Sequence, residues 1–118
     1  MSDPSAAAGK PEVPYEAFSA LDLRSARVVR AEAHPNADRL LVLTIDVGDL
    51  GERQIVAGIA QQHRPEDLVG RSIIVVANLK PARLRGVESR GMLLAMAAGD
   101  RIVLLTGADD VPPGTPVS

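Results

Sequence analysis

Apolar runs in this chain are short and are cut by turn residues at close intervals, which leaves room for strands but for no long helix. Residues 40–47 have strand composition and stop at Gly48-Asp49-Leu50-Gly51, a hairpin signal, with residues 53–57 as the partner strand. Upstream, residues 23–33 mix small, β-branched and charged side chains as a half-exposed strand does. Downstream, residues 72–79 carry a continuous Ile/Val run of the buried type. Residues 91–98 are another apolar stretch, and residues 101–105 follow the Gly99-Asp100 turn. Helical signals are brief. Pro65, Glu66 and Asp67 suit the first turn of a short helix, since proline lacks the unneeded donor and acids favour the positive end of the helix dipole. Tyr15, Phe18 and Leu21 recur at helical spacing and predict a turn that lays its apolar side on the domain.

Five short strands with one intervening helical turn predict an all-β fold, the OB-fold five-stranded barrel with short helical segments; a sandwich is the alternative. At 118 residues the chain is long enough for one core and too short for two. Residues 1–13, rich in Ala, Ser, Pro and Gly at their start, read as a flexible lead-in, and residues 14–118 as the domain. The lead-in lacks the charged and apolar regions of a signal peptide, and no apolar run approaches spanning length, so the expectation is a cytoplasmic protein without a membrane partner.

Absent chemistry narrows the function. With no cysteine there is neither a disulfide framework nor a thiolate nucleophile. His34 and His63, the two histidines, make a poor metal set, so no metal and no cofactor are expected. His34 reads instead as part of an extended turn, with Pro35 restricting the backbone ahead of Asn36. The carboxylates are scattered through turns, none forms a recognisable acid/base pair, and Ser89 has no base motif, so no catalytic residue is assigned and an enzyme is not expected.

Residues 78–92 carry the strongest functional signal. Lys80, Arg83, Arg85 and Arg90 against Glu88 give four positive charges less one negative, +3, in a chain whose formal net charge is −2. A positive, turn-rich segment between two apolar runs suits a phosphate grip at the mouth of a β-structure, although a solvated loop has the same composition. The only aromatics, Tyr15 and Phe18, lie near the N-terminus, so the body of the domain cannot offer stacking platforms to a single strand. A nucleic acid bound here must be read through backbone, shape and a few base edges.

Three ordered stretches carry a resemblance: His34-Pro35-Asn36-Ala37-Asp38-Arg39-Leu40, Gln54-Ile55-Val56-Ala57-Gly58-Ile59-Ala60, and residues 77–95 with Asn78-Leu79-Lys80-Pro81 and Arg85-Gly86-Val87-Glu88-Ser89-Arg90-Gly91-Met92. Together they resemble the tRNA-binding domain found at the C-terminus of methionyl-tRNA synthetases, in the endothelial-monocyte-activating cytokine precursor, and as a free-standing tRNA-binding protein. The resemblance implies an OB-fold homodimer that holds the outer corner of tRNA without catalysis, in some cases for an aminoacyl-tRNA synthetase. It implies RNA-facing roles for Asn36, Arg39, Asn78, Lys80, Arg83, Arg85, Ser89 and Met92. Lysine is more usual in the family at Arg39, and arginine keeps the charge while adding bidentate geometry. A second basic residue is common where Ala82 stands, so Ala82 removes a phosphate contact; Arg90, where glutamine is frequent, adds one. Met92 is a surface for a sugar or base face, or a core residue opening a buried strand. The end of the chain is also similar to CsaA-type proteins, described as chaperones assisting protein export, which makes binding of unfolded polypeptide the alternative function.

Overall fold

β1 (Leu23–Ala33) organises the molecule because it is long enough to serve several neighbours. Our computed structural model describes residues 9–118; residues 1–8 of the expected lead-in lie outside the described residues. The first half of β1 runs antiparallel to β4 (Ser72–Val76), from Leu23 opposite Val76 to Arg27 opposite Ser72. Its second half pairs with β2 (Leu41–Asp46), from Arg27 opposite Asp46 to Ala33 opposite Leu41. The register shifts between Val28 and Arg30, a bulge that lets one strand bend from one neighbour to the next.

β2 continues through the Gly48–Leu50 turn into β3 (Glu52–Ala57), where the Asp46 carboxylate accepts the Gly48 N–H at 2.9 Å. On the other flank β4 pairs with β7 (Met92–Leu93), giving the order β3-β2-β1-β4-β7. The two ends of this sheet meet. The Arg90 N–H donates to the Gln54 carbonyl at 2.9 Å and the Val56 N–H to the Ser89 hydroxyl at 2.9 Å, so few ladder groups are left as an open edge. The result is a nearly closed five-strand antiparallel barrel, the all-β, OB-like fold that the strand count predicts.

Two hairpins stand apart from the barrel: β5 (Ala82–Leu84) with β6 (Val87–Ser89), and β8 (Ala95–Ala98) with β9 (Arg101–Leu104). The predicted strand over 72–79 therefore ends early at Val76, and the apolar stretch over 91–98 divides at Leu94. There the Leu94 N–H still bonds the Ile74 carbonyl at 2.9 Å while its own carbonyl receives Leu105 N–H at 3.1 Å, marking where the chain leaves the barrel. Gln62 and His63 hold the β8–β9 hairpin: Gln62 Oε1 accepts Ile102 N–H at 2.5 Å, and His63 Nε2 donates to the Ile102 carbonyl at 2.8 Å. The predicted terminal extended piece contains β10 (Pro116–Val117), which pairs with the start of β1.

Strand alternation turns Leu41, Leu43 and Ile45 inward to meet Val28, Ile55, Ile73 and Val75. Leu68, from the predicted helical turn Pro65–Leu68, is completely buried in the same cluster. Each such side chain contributes about 1.5–3 kcal/mol of burial. The other helical turn, Tyr15–Ser19, forms where the periodicity predicts but buries nothing. Tyr15 is 73 % and Phe18 41 % exposed, which corrects the expectation that this side packs on the domain. Polar clasps make the attachment instead. Asn78 Oδ1 accepts Asp22 N–H at 2.8 Å, Asn78 Nδ2 donates to the Ala20 carbonyl at 2.8 Å, and Ala77 N–H donates to the Asp22 carbonyl at 2.7 Å.

Candidate nucleic-acid interface

The β5–β6 hairpin has a two-residue loop, because Leu84 pairs with Val87 and only Arg85 and Gly86 lie between. Both have positive φ, 53° and 89°, as a type I′ turn requires. Glycine adopts this conformation freely; arginine does so against its Cβ, and Arg85 is the one described non-glycine residue with positive φ. The chain thus accepts local strain to display a cation at a hairpin tip.

The hairpin is two-faced. Opposed residues share a face, so Leu84 and Val87, Ala82 and Ser89 form one side, and Arg83 with Glu88 the other. Ala82, Leu84 and Ser89 lean over Val56, Ala57 and Leu93 of the barrel and, with Leu79, Lys80 and Met92, enclose a groove of about 320 Å³. Arg83 faces away from that groove, its guanidinium donating to the Gly86 carbonyl at 3.0 Å, and its charge lies on the solvent side of the hairpin.

His34 ties the hairpin to the turn after β1. Its ring is buried; Nδ1 accepts the Asn36 N–H at 2.9 Å, so the proton resides on Nε2, which donates to the Leu84 carbonyl at 2.9 Å. His34 thus stands at the extended entry to the turn, as expected, and its ring adds a long-range bond. One consequence is that Arg85, whose Nη2 reaches the Asn36 carbonyl at 3.4 Å, lines a polar recess with Asn36, Asp38 and Arg39. Stretches far apart in sequence thereby bring two arginines to one recess.

The remaining expected contact residues divide by exposure. Asn36, Arg39, Asn78, Lys80, Arg83, Arg85, Arg90 and Met92 are exposed. Met92, at 48 % exposure, stands on the surface rather than in the core, because its strand neighbour Leu93 takes the inward position. Ser89 differs: it is buried, and its Oγ accepts from Val56 N–H and donates to the Gly91 carbonyl at 3.1 Å. A hydroxyl so engaged fastens β3 to the segment after β6. Asn78 is exposed but already spends its amide on the N-terminal clasp. Sequence reading missed the His34–Leu84 link, which joins residues 50 apart and leaves no local signal.

A family model described as "Putative tRNA binding domain" matches residues 23–116, from the first residue of β1 into β10. The chain belongs to this tRNA-binding domain family. Among its relatives are methionine–tRNA ligases of Thermotoga maritima, 57 % identical over 101 residues, and of Methanothrix thermoacetophila, 51 % identical over 105. These alignments cover 86 % and 89 % of this chain but 16 % and 15 % of the ligases, so the tRNA-binding domain spans about one sixth of the length of those relatives. Solved structures agree over nearly whole chains. The chaperone CsaA from Bacillus anthracis superposes with a TM-score of 0.83 at 36 % identity, covering 92 % of this chain and 100 % of its own. A protein from Pyrococcus horikoshii described as related to MetRS does so at 0.84 and 36 %, covering 92 % and 99 %. Among the described residues no helix is long and apolar enough to cross a membrane, and no group of three His, Asp or Glu side chains is arranged to hold a metal ion.

Proposed function

We propose that this domain binds folded tRNA without catalysis, through the rim made by the turn at residues 36–39 and the β5–β6 hairpin. The observation that carries this reading is the His34 bridge, which draws Arg39 and Arg85 around one recess. Arg39, Lys80, Arg83, Arg85 and Arg90 supply phosphate contacts, Asn36 and Asn78 polar contacts to sugar or base edges, and Met92 an apolar face. Ser89 and His34 hold these groups in position. The exposed apolar side chains of Tyr15, Phe18, Met96 and Val117 favour a homodimer, whose two copies widen the basic surface. Kinship with methionine–tRNA ligases supports service to such a synthetase in the cytoplasm, as a partner or an appendage.

The test is a titration with mixed tRNA, an unstructured RNA of equal length and an unfolded polypeptide, each at several salt concentrations. Preference for folded tRNA, with affinity falling as salt rises, is the expected result. The second reading, a CsaA-type chaperone, draws support from the apolar groove and from likeness to a protein of that description. Tight polypeptide binding without tRNA binding would select it.

A further inference from the structure

We infer that the groove between the β5–β6 hairpin and the barrel receives one unstacked nucleobase of the bound RNA, gripping its ring faces and leaving its edges unread. The inference rests on the tRNA-binding reading and adds a second mode of contact to it. Its lining is mainly apolar, with Val56, Leu79, Leu84, Met92 and Leu93 supplying most of the wall and Leu79, Leu84 and Met92 all substantially exposed. A volume of about 320 Å³ lies at the lower end of ligand pockets, roughly 300 Å³ upward, and suits a single planar ring with part of its sugar. A folded RNA presents such rings wherever a loop or bulge base is splayed from its stack.

Charge decides between a base and the apolar side chain of a polypeptide. Lys80 is itself part of the lining, and Arg85 stands at the tip of the hairpin that forms the outer wall. An inserted nucleotide brings a phosphate on each side of its sugar toward these cations. An inserted leucine or phenylalanine brings none and forces Lys80 to cover an uncharged ligand.

The polar inventory explains why the edges go unread. The only hydroxyl in the lining, Ser89 Oγ, is already committed to Val56 and Gly91, and no described buried side-chain polar atom lacks a partner. Lys80, a mobile point charge, is the one side-chain donor left in the groove. Such a groove separates extruded bases from paired ones but does not choose among the four. This supplies the missing half of recognition in a domain without stacking aromatics: aliphatic and thioether surfaces pack on the ring, as apolar wedges do in other nucleic-acid complexes.

The test uses protein isotope-labelled at its backbone amides and at its Leu and Met methyl groups, titrated with mixed tRNA. Neither Tyr15 nor Phe18 lines the groove, and the His34 ring on the Leu84 carbonyl is present before any ligand is added, so upfield shifts that arise on titration report a ring brought by the added ligand. The expected result is upfield shifts of the Leu79, Leu84, Met92 and Leu93 methyls on tRNA binding. In parallel, Ala82→Leu, at an exposed position on the groove side of β5, narrows the groove and weakens tRNA binding by about tenfold with an unchanged salt slope. Bound tRNA that moves the Lys80 and Arg85 amides but leaves these methyls in place overturns the insertion while leaving tRNA binding intact. Absence of tRNA binding overturns both. Methyl shifts produced by an unfolded polypeptide and by no tRNA overturn it in favour of peptide capture.

Discussion

The imidazole of His34 and the carbonyl of Leu84 meet at 2.9 Å, across 50 residues of sequence, and that bond couples the turn after β1 to the tip of a separate hairpin. Because Nδ1 is held by Asn36 N–H at the same time, the ring has one orientation and one tautomer. Replacing His34 by Ala removes a buried ring and the two hydrogen bonds it makes, to the Leu84 carbonyl and from the Asn36 N–H. A loss of about 1–3 kcal/mol in unfolding free energy is expected by denaturant titration. The tRNA affinity should fall as well, with Asn36 and Arg85 amide signals moving independently of one another.

Arg85→Gly separates charge from backbone strain. Glycine tolerates φ near 53°, so folding stability should stay level or rise by up to about 1 kcal/mol, the relief of the left-handed conformation offset by a more flexible unfolded chain. Affinity for tRNA should fall and the slope of log affinity against log salt should flatten by about 0.7–0.9. A variant that melts no earlier yet binds less steeply assigns the cation to the RNA.

Ser89→Ala makes the opposite pattern. Its hydroxyl joins β3 to the segment that closes the barrel, so its loss strands the Val56 N–H in a buried place. Stability should drop by about 1–3 kcal/mol, while affinity measured well below the transition falls only modestly, through the loosened positioning, and the salt slope does not change. A large affinity loss at unaltered stability would mean that the hydroxyl contacts RNA after all.

Leu68→Ala tests the core beneath the site. Leu68 is fully buried among barrel residues and lies outside the linings of the groove and the polar recess. The cost should be about 2–5 kcal/mol, read from the thermal or urea transition, with tRNA binding preserved in whatever fraction stays folded.

Much of the barrel was legible because its strands announce themselves locally: Ile/Val runs, the Gly48 to Gly51 turn, and proline followed by acids at residues 65–67. Pairing partners such as β1 with β4 and the bulge at Val28/Arg30 depend on residues distant in the chain, and no local pattern encodes them. The cationic rim was likewise visible as composition. What composition could not reveal is the direction in which each group faces. Ser89 and Met92 lie close together in one motif, yet one is buried under backbone bonds and the other stands free. Asn78, polar and exposed, is equally a clasp for the N-terminal turn. The apolar spacing of Tyr15 and Phe18 predicted packing that the short turn does not make, because backbone and amide bonds fasten it instead.

The locked geometry at Arg85 and Gly86 bears on the speed of capture. A tip whose main chain is already fixed by a two-residue turn and by the His34 bond has no disordered loop to fold around its target. Encounter is then governed by diffusion in the field of the rim. Association should proceed in a single kinetic phase that slows as salt is added, with no later step in which the protein reshapes itself.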